Sequence, residues 1–150
     1  ARQVGKTSLL HQVLHEAQQR ADVDCVKLDL QGIDSAEEFV DALREALSDK
    51  GVVCESRTLA GTLSALEQAS APRMPVLLIN EVDGLLQKQP SVIQQLRARH
   101  EAQRMRFVFV GYAPVLWSLT DVGSPFYHFT SGDTDGAFVL GPLDEPDCRQ

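Results

Sequence analysis

Apolar residues along this chain follow two rhythms. Leu9, Leu10, Val13, Leu14 and Ala17 recur at helical spacing and predict a helix with one buried stripe, fading near Arg20 to Asp22. Val23 to Leu30 then alternates apolar and polar, as a half-buried strand does. After a turn at Gln31-Gly32-Ile33-Asp34, Ser35-Ala36-Glu37-Glu38 has the form of a capping box. It opens a second helix, which buries Phe39, Val40, Leu43 and Leu47 and stops before Gly51. A third helical stretch, about Leu59 to Ala69, turns Leu59, Leu63 and Leu66 to one side, with Gly61 a helix-weakening residue near its start.

Met74-Pro75 forces extended backbone, and Val76-Leu77-Leu78-Ile79 follows as an unbroken apolar run of the kind that fits a parallel strand covered on both faces. Ser91 to about Gln103 is helical by the spacing of Val92, Ile93 and Leu96. Arg106 to Val110 is a further strand, Pro114 to Leu119 a short helix and Ala137 to Leu140 a last strand, with Asp144 placed to cap another helix. Strand and helix alternate, without repeats, so the pattern predicts an α/β fold: a three-layer sandwich with a mostly parallel sheet.

Two stretches carry chemistry. Ala1-Arg2-Gln3-Val4-Gly5-Lys6-Thr7-Ser8 fits G-x-x-x-x-G-K-[ST] except that the first glycine would precede Ala1, so the chain is expected to begin inside the motif. Such a loop turns backbone N–H groups toward a polyphosphate, and the helix after it adds the positive end of its dipole. Gly5 allows close approach, Lys6 is a cation for the β- and γ-phosphates, and the Thr7 hydroxyl is a hard oxygen ligand for Mg²⁺. The nucleotide-binding set is Arg2, Gln3, Val4, Gly5, Lys6, Thr7 and Ser8. The second stretch is Asn80-Glu81, at the end of the apolar run. Glu81 is suited to activate a water, whereas Asn80 can accept a hydrogen bond from a metal-bound water but brings no charge.

Composition narrows the partners. The chain has 150 residues, 43% of them hydrophobic, enough for one core in a single domain. Its formal net charge of −7 argues against a broad surface for nucleic acid or anionic membrane. No apolar run approaches the length needed to span a bilayer. Cys25, Cys54 and Cys148 are far apart and read as reduced thiols, which favours a cytoplasmic location. Arg97, Arg99, His100, Arg104 and Arg106 form the one basic concentration and read as a solvated helix end, with a partner or DNA contact as the alternative.

These motifs, together with Val76 to Leu86, Arg106 to Gly111 and Val139 to Leu143, resemble the ATPase core of the ASCE division of P-loop NTPases, nearest to AAA+ and STAND-type proteins. The resemblance implies ATP and Mg²⁺ as cofactors and a sheet in the order 5-1-4-3-2 with its first strand missing. It also implies an incomplete domain that lacks its C-terminal lid. Thr7, and Asn80 through water, would hold the metal; Glu81 would be catalytic, and Tyr112 would stand where the family keeps a polar γ-phosphate sensor.

Two departures bear on function. The family usually carries aspartate at the position of Asn80, and no arginine or lysine lies between Phe107 and Cys148 to serve as an arginine finger. The sequence is thus expected to encode a slow nucleotide-dependent switch acting on an additional domain or protein partner. The alternatives are a nucleotide-binding module without turnover, or a DNA-linked ATPase of the replication-initiator or transposition-helper kind.

Overall fold

In a computed structural model of the protein, residues 6–33, 35–111 and 122–124 are described, with the side chains of Lys6 and Thr7 left aside. The elements run α1 (Lys6–Gln18), β1 (Val23–Asp29), α2 (Ala36–Asp49), α3 (Leu59–Ser70), β2 (Met74–Asn80), α4 (Asp83–Lys88), α5 (Pro90–Glu101) and β3 (Arg106–Val110). The three strands form one parallel sheet in the order β1-β2-β3. The strand expected at Ala137 to Leu140 lies outside the described residues, as do the short helix from Pro114 to Leu119 and Tyr112.

Both crossovers step the same way across the sheet. A right-handed connection between parallel strands then puts every crossover helix on one face. The packing follows that rule. Val26, Leu28 and Leu30 of the β1 side and Leu77 and Ile79 of β2 join Phe39, Leu43 and Leu47 of α2, Leu63 and Leu66 of α3, and Ile93 and Leu96 of α5 in a single buried cluster. Side chains alternate along a strand, so Cys25, Lys27, Asp29, Val76, Leu78 and Asn80 belong to the opposite face. α1 packs on β1 there, and its Leu10 is buried but stands outside the main cluster, as Leu78 does.

The stripe expected along α1 is only partly realised. Leu10 is buried, Val13, Leu14 and Ala17 are half-buried, and Leu9 is 39% exposed. Among the described residues β1 is the strand that meets α1 closely, and one strand covers less than the full apolar arc of a helix. β2, between two neighbours and covered on both faces, is the most buried strand, as its unbroken apolar run requires.

Local signals explain the element ends. Ser35 caps α2: its Oγ accepts the Glu38 N–H at 3.2 Å, while its own hydroxyl donates to Glu38 Oε1 at 2.9 Å. The second bond of the capping box thus runs between side chains rather than back to the Ser35 backbone. At the far end Gly51 N–H donates to the Ser48 carbonyl and Val52 N–H to the Leu47 carbonyl, with Gly51 at φ 80°. This is a Schellman motif, and its left-handed residue favours glycine.

Gly61 does not break α3. Thr58 caps that helix by accepting the Gly61 N–H at 3.1 Å, and a Cβ on Gly61 would meet Ser56 Oγ at 2.0 Å and Ser56 Cβ at 2.7 Å. The glycine makes room for the incoming chain. α5 begins one residue earlier than Ser91, on Pro90, whose missing N–H is harmless in a first turn. The short helix α4, absent from the sequence-based expectation, has too few residues to show a period.

Candidate functional site

The two ends of the sheet do different work. At the amino end of β1, Asp24 is buried beneath the C-termini of α2 and α3. Lys50 Nζ donates to its Oδ1 at 2.6 Å, Ser70 Oγ donates to its Oδ2 at 2.8 Å, and Arg73 stands 3.8 Å away. Burial by itself pushes this carboxyl up. The hydrogen bonds from Lys50 and Ser70, with the charges of Lys50 and Arg73, outweigh it and hold Asp24 below the usual carboxylate range. This end is a structural lock.

The carboxyl end holds the chemistry. Asp29 of β1, Asn80 of β2 and Val110 of β3 are register partners and finish their strands together. The Asn80 carbonyl accepts Leu30 N–H at 3.0 Å, and Val82 N–H donates to the Val110 carbonyl at 3.2 Å, so the level is pinned on both sides. Asn80 is 8% exposed and belongs to the face that α1 covers.

The height of α1 follows from length. Thirteen helical residues rise about 20 Å. The seven residues of β1, reached through a short turn, run back about 23 Å. The first turn of α1, at Lys6, therefore comes to the level of Asp29 and Asn80, where a helix N-terminus favours an anion.

Between β2 and α4 the chain makes a sharp step, and Glu81 takes it. Its φ is 58°, in the left-handed region that a residue with a Cβ adopts at a cost. Val82 is fully buried behind it, and Asp83 begins α4. Glu81 itself is half-buried. A strained, partly exposed acid at the end of a central parallel strand is the kind of outlier that collects at working sites. Nothing in the composition of the segment announces it, because a left-handed glutamate has no sequence signal.

Among the described residues no group of three or more His, Cys, Asp or Glu forms a cage that could hold a metal by itself. Mg²⁺ keeps several waters and takes ligands from substrate phosphates, so its fit is judged on the chemistry of the few protein donors. The hard oxygens of Thr7, and of Asn80 through water, suit it by chemistry. Of the residues expected from sequence to bind nucleotide, Arg2, Gln3, Val4 and Gly5 lie outside the described residues. Lys6 and Thr7 open α1, and Ser8 is exposed in its first turn.

The basic concentration is largely spent on ion pairs. Arg99 bonds Glu67 at 2.7 Å and also donates to the Ala60 carbonyl; Arg104 reaches the other Glu67 oxygen at 2.5 Å; Arg97 stands 3.5 Å from Glu101. The bonds of Arg99 and Arg104 to Glu67 tie α5 and the residues just after it to α3, while the Arg97–Glu101 pair lies along α5 itself. Cys54 is buried, and burial pushes the half-buried Cys25 thiol up, which disfavours the Cys25 thiolate. No described helix is long and apolar enough to cross a membrane.

A parallel α/β sheet with a helix N-terminus and a strand-end acid at its carboxyl edge fits a P-loop NTPase-like fold. A family model described as AAA domain matches residues 1–117, and the chain belongs to that family. AAA domains are nucleotide-binding ATPases that usually employ Mg²⁺. No curated protein matches the chain.

Proposed function

We propose that this domain binds ATP through Gly5, Lys6, Thr7 and the loop residues Arg2, Gln3 and Val4, hydrolyses it slowly, and serves as a nucleotide-dependent switch for an additional domain or protein partner. The observation that carries the reading is the step at Asn80-Glu81. An acid at φ 58° follows β2, the strand paired with the one that α1 packs against. Glu81 accepts the proton of a water as the water oxygen attacks the γ-phosphorus; the bond to the β–γ bridging oxygen breaks, leaving ADP and phosphate. Thr7, and Asn80 through water, would hold Mg²⁺, which offsets phosphate charge when bound. Lys6 adds a mobile cation. Tyr112 would report the γ-phosphate.

Slow turnover follows from charge. Asn80 brings none where a carboxylate would strengthen the metal, and the span from Phe107 to Cys148 offers no arginine or lysine for a neighbour's nucleotide. The ion pairs of Arg97, Arg99 and Arg104 support leaving nucleic acid out of the reading. Steady-state ATP hydrolysis compared with Glu81→Gln is the test. Loss of turnover with nucleotide binding retained is expected. Equal, near-zero rates in both proteins with binding intact would instead favour a binding module without turnover, the reading that the neutral Asn80 supports second.

A further inference from the structure

We infer that Asp29, on the neighbouring strand, supplies the negative charge that position 80 lacks, and so acts as a positioning residue for the divalent cation that accompanies the nucleotide; the inference rests on the nucleotide reading above. Asp29 and Asn80 are direct register partners in a parallel pair. Paired residues of adjacent strands project to the same face, with their strands about 4.8 Å apart. That face is the one covered by α1. The Leu30 N–H to Asn80 carbonyl bond, at 3.0 Å, keeps the register intact to the last residue of both strands. The two side chains therefore leave the sheet together, one a buried amide and the other an exposed carboxylate.

Asp22, Asp24 and Glu67 each pair with a lysine or arginine, whereas among the described residues the Asp29 carboxylate has no ion-pair partner. Its Oδ1 accepts the Gln31 N–H at 3.1 Å, which fixes the carboxylate at the strand end. Mg²⁺ is reluctant to shed water, so an acid one strand away works through hydrating waters and through the field, without becoming a direct ligand. An aspartate at position 80 would make Asp29 redundant; asparagine there makes it matter.

The decisive variant is Asp29→Asn, which keeps an acceptor for the Gln31 N–H and removes only the charge. Mn²⁺ is titrated into the protein with a non-hydrolysable ATP analogue, and bound metal is read by electron paramagnetic resonance. Nucleotide affinity is measured separately in EDTA. The Mn²⁺ midpoint should rise about tenfold, the scale of losing an outer-shell carboxylate, with affinity in EDTA unchanged. Adding Asn80→Asp in the same chain should bring the midpoint back. An unmoved midpoint overturns the inference, as does an equal loss of nucleotide affinity in EDTA, which marks a structural effect. Failure of the unmodified protein to bind the analogue, or binding indifferent to Lys6→Ala, overturns the nucleotide reading itself and the inference with it.

Discussion

Replacing Glu81 by glycine should stabilise the fold while abolishing hydrolysis. At φ 58° the Glu81 Cβ crowds its own backbone, at a cost of about 1–2 kcal/mol. Glycine removes that cost but orders a more flexible unfolded chain, which takes back about 0.5–1 kcal/mol. Glu81 is half-buried, with Val82 rather than Glu81 filling the core behind it, so little packing is lost. The net gain is about 0.5–1 kcal/mol, or roughly 2–3 °C in Tm for a domain of this size. Glu81→Ala is the control, because alanine loses the carboxylate but keeps the Cβ and therefore the strain. Urea unfolding followed by circular dichroism reads both variants, and ATP turnover reads the other half of the trade. Should the glycine variant be no more stable than the alanine variant, the backbone at position 81 is unstrained and the argument that function holds it there fails.

Other consequences can be checked in the same way. Asp24→Asn removes a charge-assisted bond to Lys50 in a buried setting and should cost about 2 kcal/mol at pH 7 in chemical denaturation. Since the folded Asp24 carboxyl lies below its unfolded value of about 3.9, its stabilising contribution is complete above that pH. It is lost as pH falls through the folded value, so an acid titration of stability should flatten in the asparagine variant. Glu67→Ala leaves Arg99, which is 13% exposed, without its carboxylate, and should lower stability by about 3 kcal/mol, with α5 amides gaining hydrogen exchange first. Gly61→Ala, a change that usually strengthens a helix, should here destabilise by about 1–3 kcal/mol because Ser56 occupies the space; a gain in Tm would refute the close approach.

Much of the framework was legible because its signals are local. The Ser35 cap, the Gly51 stop, the alternation of β1 and the continuous apolar run of β2 each report on a few neighbouring residues, and each led to the right element. Readings that needed a partner across space fared less well. The full stripe of α1 was expected to be buried, yet how much of it is covered depends on the strands beside it, and Leu9 stays exposed. Gly61 reads as a weak point in isolation and becomes a fitted contact only when Ser56 comes to lie against it. α4 and the cap at Thr58 went unseen, the first for want of length and the second because a threonine before a leucine is common.

The candidate site divides along the same line. The sequence alone determined its chemistry: a Gly-Lys-Thr at a helix start, an Asn-Glu at the end of a buried strand, and the neutral residue where an acid is usual, since these are statements about residue types at fixed spacing. Only the tertiary structure decided what surrounds them. Parallel pairing set Asp29 beside Asn80, the lengths of α1 and β1 brought the helix start to that level, and the step out of β2 bent Glu81 into a left-handed turn. Register and backbone sign arise from how distant segments close on one another, and no spacing along the chain encodes them.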